Sequence, residues 1–148
     1  MKKWIIAVAL VSIAVLSGCS LLQGVNDSLE YVNDATDYVN EATTFAEEIP
    51  SLAEQAVSDK DARVQLEERL KEMKTSIQDF NELEPPGVAE DVHQTIVDNN
   101  AKLEQGIDTY LQNIENGEVN PQLLEEYGIL QTANELSKTI DLLNQIGS

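Results

Sequence analysis

Residues 24–51 read Gly24-Val-Asn-Asp-Ser-Leu-Glu30, Tyr31-Val-Asn-Asp-Ala-Thr-Asp37, Tyr38-Val-Asn-Glu-Ala-Thr-Thr44, then a degenerate Phe45-Ala-Glu-Glu-Ile-Pro-Ser51. A seven-residue repeat returns the same side chains to the same side of a helix every two turns. Val25, Leu29, Val32, Ala35, Val39, Ala42 and Ala46 form an apolar seam along it. The seam is thin, mostly Val and Ala, so it calls for larger partners, from other helices of the chain or from another chain. Pro50 is expected to end or kink this helix after Ile49, with Leu52 to Val57 adding a turn or two.

Three more amphipathic segments follow. Asp59 or Asp61 can cap a second helix, in which Leu66, Leu70, Met73, Ile77 and Phe80 recur at four and three. Glu84-Pro85-Pro86-Gly87 stops it, and Pro86 suits the first position of a third helix, where a missing N–H is harmless. That helix carries Val88, Val92, Ile96, Leu103, Ile107, Tyr110, Leu111 and Ile114 on one side, interrupted by Asn99, Asn100 and Gly106. Asn116-Gly117 reads as its stop. Asn120-Pro121 restarts the chain, with Leu123, Tyr127, Leu130, Ala133, Leu136, Ile140, Leu143 and Ile146 as the last stripe. Rods of similar length joined by short Pro/Gly turns pack as an antiparallel helical bundle. The expected fold is therefore all-α, with about four helices and no strands.

Upstream of the repeat the chain carries an address. Lys2 and Lys3 precede an apolar run from Trp4 to Val15, too short to span a bilayer but right for the core of a signal peptide. Leu16-Ser17-Gly18-Cys19 has the order of a bacterial lipobox. Leu16, Ser17 and Gly18 would fit the signal peptidase, and the Cys19 thiol would take a diacylglycerol. The expected organisation is a signal peptide over 1–18 and a mature helical domain over 19–148. Each buried lipid methylene adds roughly 0.8 kcal/mol of anchoring, and two chains suffice for stable attachment.

Charge and cysteine content exclude several functions. The 148 residues hold 27 Asp and Glu against 9 Lys and Arg, a net charge of −18. Losing Lys2 and Lys3 leaves 7 basic residues against 27 acids, a net of −20. No nucleic-acid footprint exists without a basic face. The one cysteine is taken by the lipid, which leaves no disulfide framework, multi-thiolate metal site or thiol nucleophile. No cofactor is expected beyond the covalent lipid. An apolar fraction of 42% is too high for a disordered acidic tail.

Several stretches together resemble a family of small uncharacterised lipoproteins from Bacillus and its relatives. They are the lipobox followed by Ser20-Leu21-Leu22, the Tyr-Val-Asn-[Asp/Glu]-Ala-Thr repeat, Glu48-Ile49-Pro50-Ser51-Leu52-Ala53, Phe80-Asn81-Glu82-Leu83-Glu84-Pro85-Pro86 and Asn113-Ile114-Glu115-Asn116-Gly117. The likeness spans nearly the whole mature chain, and the heptads are its most specific part. It implies a Gram-positive, cell-surface setting and a domain of unknown function. It supplies no catalytic or ligand residues.

Candidate chemistry is sparse. Asp27, Glu30, Asp34, Asp37 and Glu41 recur at three and four on the side away from Val32 and Val39, with no Lys or Arg between Cys19 and Lys60. Like charges at that spacing each cost a few tenths of a kcal/mol, so the ridge either receives something cationic or is a solvated face. Tyr31 and Tyr38 hold equivalent heptad positions beside the seam, as anchors for a partner helix or as the edge of the core. Lys60, Arg63, Lys71 and Lys74 line one side of the second helix, facing lipid headgroups or wall polymer, or pairing with neighbouring acids. His93 is the sole imidazole, and without a partner His or Cys it makes no usual zinc site. No Asp-rich loop with a trailing Glu indicates calcium, so no metal is expected. Glu47-Glu48, Glu67-Glu68 and Glu125-Glu126 are helix neighbours that do not face each other, as glycosidase carboxylates must.

The sequence therefore reads as a non-enzymatic, cell-surface lipoprotein, held to the outer face of the membrane and acting as a protein-interaction or adaptor module. Its expected partner is a membrane-proximal protein. An acidic ligand sink for cationic peptides or divalent cations is the alternative.

Overall fold

The computed structural model describes residues 19–147, with side chains from residue 27 onward. The expected signal peptide over 1–18, the lipobox residues and the Cys19 side chain lie outside these described residues. Among those described, the chain is all-helical, without strands.

The heptad segment forms α1, Cys19–Ala56, longer at both ends than the repeat implied. Pro50 does not end it. Proline removes one backbone hydrogen bond and crowds the preceding turn, but Ile49 and Ala53 on either side are fully buried and tie the helix to the core. The α2 helix, Lys60–Asn81, begins where the sequence placed its cap. Asp59 Oδ1 accepts from the backbone N–H of Asp61 at 2.8 Å and of Ala62 at 3.3 Å. Leu66, Leu70, Met73, Ile77 and Phe80 are all buried. Each such side chain contributes roughly 1.5–3 kcal/mol relative to exposure.

The α3 helix, Glu90–Glu115, starts later than the Pro86 reading implied. The Pro86 carbonyl instead accepts from Ala89 N–H at 2.8 Å, closing a turn ahead of the helix. Val88, expected on the apolar stripe, therefore stands outside it and is 70% exposed. At the far end Asn116-Gly117 does terminate α3. Gly117 takes φ +87°, Gly117 N–H donates to Ile114 and Glu118 N–H donates to Asn113. This is the two-bond closure that favours glycine.

The last stripe is not one helix. It is divided into the single turn α4, Leu123–Glu126, then α5, Ile129–Ser137, and α6, Ile140–Ile146. Gly128 at φ +70° breaks the first junction. At the second, the Thr139 hydroxyl donates to the Leu136 carbonyl at 2.6 Å and competes with the helix ladder.

The seam of α1 packs within the chain, against α2, α5 and α6, while α3 packs on α2 and α5. Cross-links give the directions. Glu41 meets Ser76 while Glu48 meets Arg69, so α1 and α2 run opposite ways. Tyr31 meets His93 and Tyr38 meets Asn100, so α1 and α3 run the same way. Gly106 of α3 sits so close to the chain before α5 that a Cβ there would meet the Tyr127 carbonyl oxygen at 2.7 Å. The Gly106 interruption in the α3 pattern is thus a close approach to the start of α5.

Candidate functional site

The α1 repeat and the C-terminal half of α2 enclose a groove. One hollow of about 300 Å³ is lined by Asp34, Asp37, Tyr38, Glu41, Ser76, Asp79, Phe80 and Leu83. A second of about 230 Å³ is lined by Asp27, Glu30, Tyr31, Asp34, Leu83 and Glu84. Asp34 and Leu83 border both. The whole acidic ridge predicted from the heptads therefore lies along this groove, joined by Asp79 and Glu84, which the repeat did not reveal.

The carboxylates there are not equivalent. Glu41 accepts from the Ser76 hydroxyl at 2.9 Å and pairs with Arg69 at 3.4 Å. Among the described residues, no hydrogen bond or ion pair reaches the side chains of Asp27, Glu30, Asp34, Asp37, Asp79 or Glu84. These six uncompensated acids, on α1, α2 and the turn after α2, make a locally negative field, strongest at low salt.

The floor of the groove is an aromatic and polar ladder. Phe80 stacks on Tyr38 on one side, with ring centroids 4.6 Å apart, and on His93 on the other, at 5.1 Å. The Tyr31 hydroxyl lies 3.1 Å from His93 Nδ1. The Tyr38 hydroxyl donates to Asn100 Oδ1, and Asn100 Nδ2 donates to Asn81 Oδ1 at 2.8 Å. Burial pushes the Tyr31 phenol up to about 12. The Tyr38 phenol is raised further, by burial first and then by the Glu41 carboxylate, with the Asn100 hydrogen bond opposing. Both phenols stay protonated at any physiological pH. Their hydroxyls point to α3, and at 4% and 7% exposure they belong to the core more than to the ridge surface.

The basic residues of α2 divide. Lys74 pairs with Asp108 and lies 3.9 Å from Glu104 of α3, and Lys71 pairs along its own helix with Glu67 at 3.6 Å. Arg63 Nε is buried without a hydrogen-bond partner. The hub of the face is Arg69, which periodicity did not single out. It reaches Glu41, Glu48 and Glu72 at 3.4–3.6 Å, with its guanidinium 5.6 Å from the Phe45 ring centroid. His93 and Asn100 are both named from the sequence, but their pairing with Tyr31 and Tyr38 is not. Their signal was available: they stand seven apart on α3, in step with Tyr31 and Tyr38 on α1.

Fold and groove together define a small all-helical protein with an acidic face over an aromatic floor. The chain belongs to the family of unknown function DUF6376, which it matches over residues 31–146. Over 145 residues it is 37% identical to the uncharacterized lipoprotein YybP of Bacillus subtilis strain 168, an alignment that covers 97% of this chain and 98% of that protein. No solved structure matches. Among the described residues, no helix is long and apolar enough to cross a membrane.

Proposed function

We propose that the chain is a lipoprotein, anchored through Cys19 at the outer face of the cell membrane as a helical bundle, and that it works by binding a partner rather than by catalysis. The lipobox and the likeness to a Bacillus lipoprotein support the anchoring. The groove supports the binding, because six carboxylates converge there with no partner of their own. A basic, membrane-proximal protein surface suits that field. The site favours contact over chemistry: His93 Nδ1 is paired with Tyr31, and among the described residues no carboxylate oxygen lies within 4.0 Å of a ring nitrogen to orient it as a general base.

The test is photo-crosslinking in cells from position 34, inside the groove, against exposed position 118. A discrete adduct from 34 alone, lost in Asp34→Asn/Asp37→Asn/Glu41→Gln, supports the adaptor. Equal smears from both positions sink it. The small size of the two hollows favours a second reading, an acidic sink for cationic peptides or divalent ions. It requires such ligands to raise the melting temperature by mass action, with salt suppressing the effect. A flat melting curve removes it.

A further inference from the structure

The one imidazole of the chain lies at the junction of three helices. His93 of α3 bonds Tyr31 of α1 and stacks on Phe80 of α2, and Phe80 in turn stacks on Tyr38 of α1. We propose that His93 is a proton-operated latch: neutral, it locks α1 to α2 and α3 beneath the acidic groove, and protonated, it loosens that floor.

The geometry sets the mechanism. A neutral ring with Nδ1 unprotonated accepts from the Tyr31 hydroxyl. A proton taken from solvent makes Nδ1 a donor, so the Tyr31 O–H must turn away and accept instead. The new cation also sits partly desolvated against Tyr31 and Phe80. Burial accordingly holds the His93 pKa below its ordinary value of 6.5.

Four acids share a hollow with Tyr31: Asp27, Glu30 and Asp34 of α1 and Glu84 on the turn after α2. Glu90 and Asp91 precede His93 on α3 itself, and Glu135 of α5 lines a separate hollow with Lys102 of α3. None of these carboxylates is within 4.0 Å of a ring nitrogen to pair with the cation. With the folded pKa depressed, the unfolded chain binds the proton first as pH falls. The latch therefore stabilises the fold above 6.5 and loses that contribution as pH drops toward the folded-state value. This holds whatever the groove receives.

As the only histidine, His93 gives an isolated imidazole signal in a two-dimensional NMR titration of the folded residue 19–148 domain from pH 8 to 4.5. The expected midpoint lies below 6.5, and the ring signals of Tyr31 and Tyr38 should move with the same midpoint. In His93→Gln, those tyrosine shifts should vanish. The gap in urea midpoint between wild type and variant should narrow from pH 7.5 to pH 5.5. A His93 midpoint at or above 6.5, or tyrosine signals blind to it, overturns the latch, and the wild-type titration decides this even if the variant does not fold. Loss of groove binding would leave all these readings unchanged, which separates this proposal from the adaptor.

Discussion

Tyr38 donates its hydroxyl to Asn100, 62 residues further along the chain, and Tyr31 meets His93 across the same interval. A heptad step on α1 is thus matched by a heptad step on the parallel α3, and both rungs are polar. Polar pairs inside a helical core fix register, because sliding by one turn strands every member without a partner.

Removing one member of the inner rung tests this. Tyr38→Phe leaves the fully buried Asn100 Oδ1 without its donor, an expected loss of about 1–3 kcal/mol in urea unfolding. Tyr38→Phe/Asn100→Leu removes both polar ends and should cost less than the sum of the two single changes. Strict additivity would mean that the two side chains do not interact.

Gly106 offers a sharper steric test. In an open helix, Gly→Ala gains about 1 kcal/mol. Here the added methyl would stand 2.7 Å from the Tyr127 carbonyl oxygen and 2.9 Å from Ile129 Cγ1. Gly106→Ala should lose about 1–3 kcal/mol by overpacking. Gly87→Ala, with nothing within 4 Å of its Cβ, should be neutral or slightly stabilising.

Arg69 is the electrostatic clasp between α1 and α2. Its three carboxylate partners are 38–67% exposed, so each pair contributes only about 0–1 kcal/mol. Packing over Phe45 adds about 0.5–1 kcal/mol. Arg69→Gln should lower stability by about 1–2 kcal/mol in dilute buffer and by less in 1 M NaCl. An equal loss at both salt concentrations would assign Arg69 to packing alone.

Much of this was legible from local pattern. The α2 stripe, the Asp59 cap and the Gly117 stop are each set by neighbours within a turn or two, and the structure bears them out. The acidic ridge was visible for the same reason. What failed depended on partners far along the chain. Tyr31 and Tyr38 look like seam-edge residues until His93 and Asn100 reach them, and Asn100 looks like an interruption until Tyr38 does. Leu29 was assigned to the seam but is 45% exposed, while Phe45 and Ile49, outside the assigned seam, are fully buried. The division of the last stripe at Gly128 and Thr139 escaped because its apolar spacing carries on across both breaks.

The continuity of α1 from Cys19 has a mechanical consequence. Tyr31 is the first of its described side chains to be buried, twelve residues beyond Cys19. At 1.5 Å per residue the helix axis advances about 18 Å between the two. The same helix packs on α2, α5 and α6. A pull at residue 19 therefore travels along a single rod into the middle of the domain, with no slack segment to absorb it. The groove, which lies along that rod, would keep a fixed tilt and height relative to whatever holds residue 19.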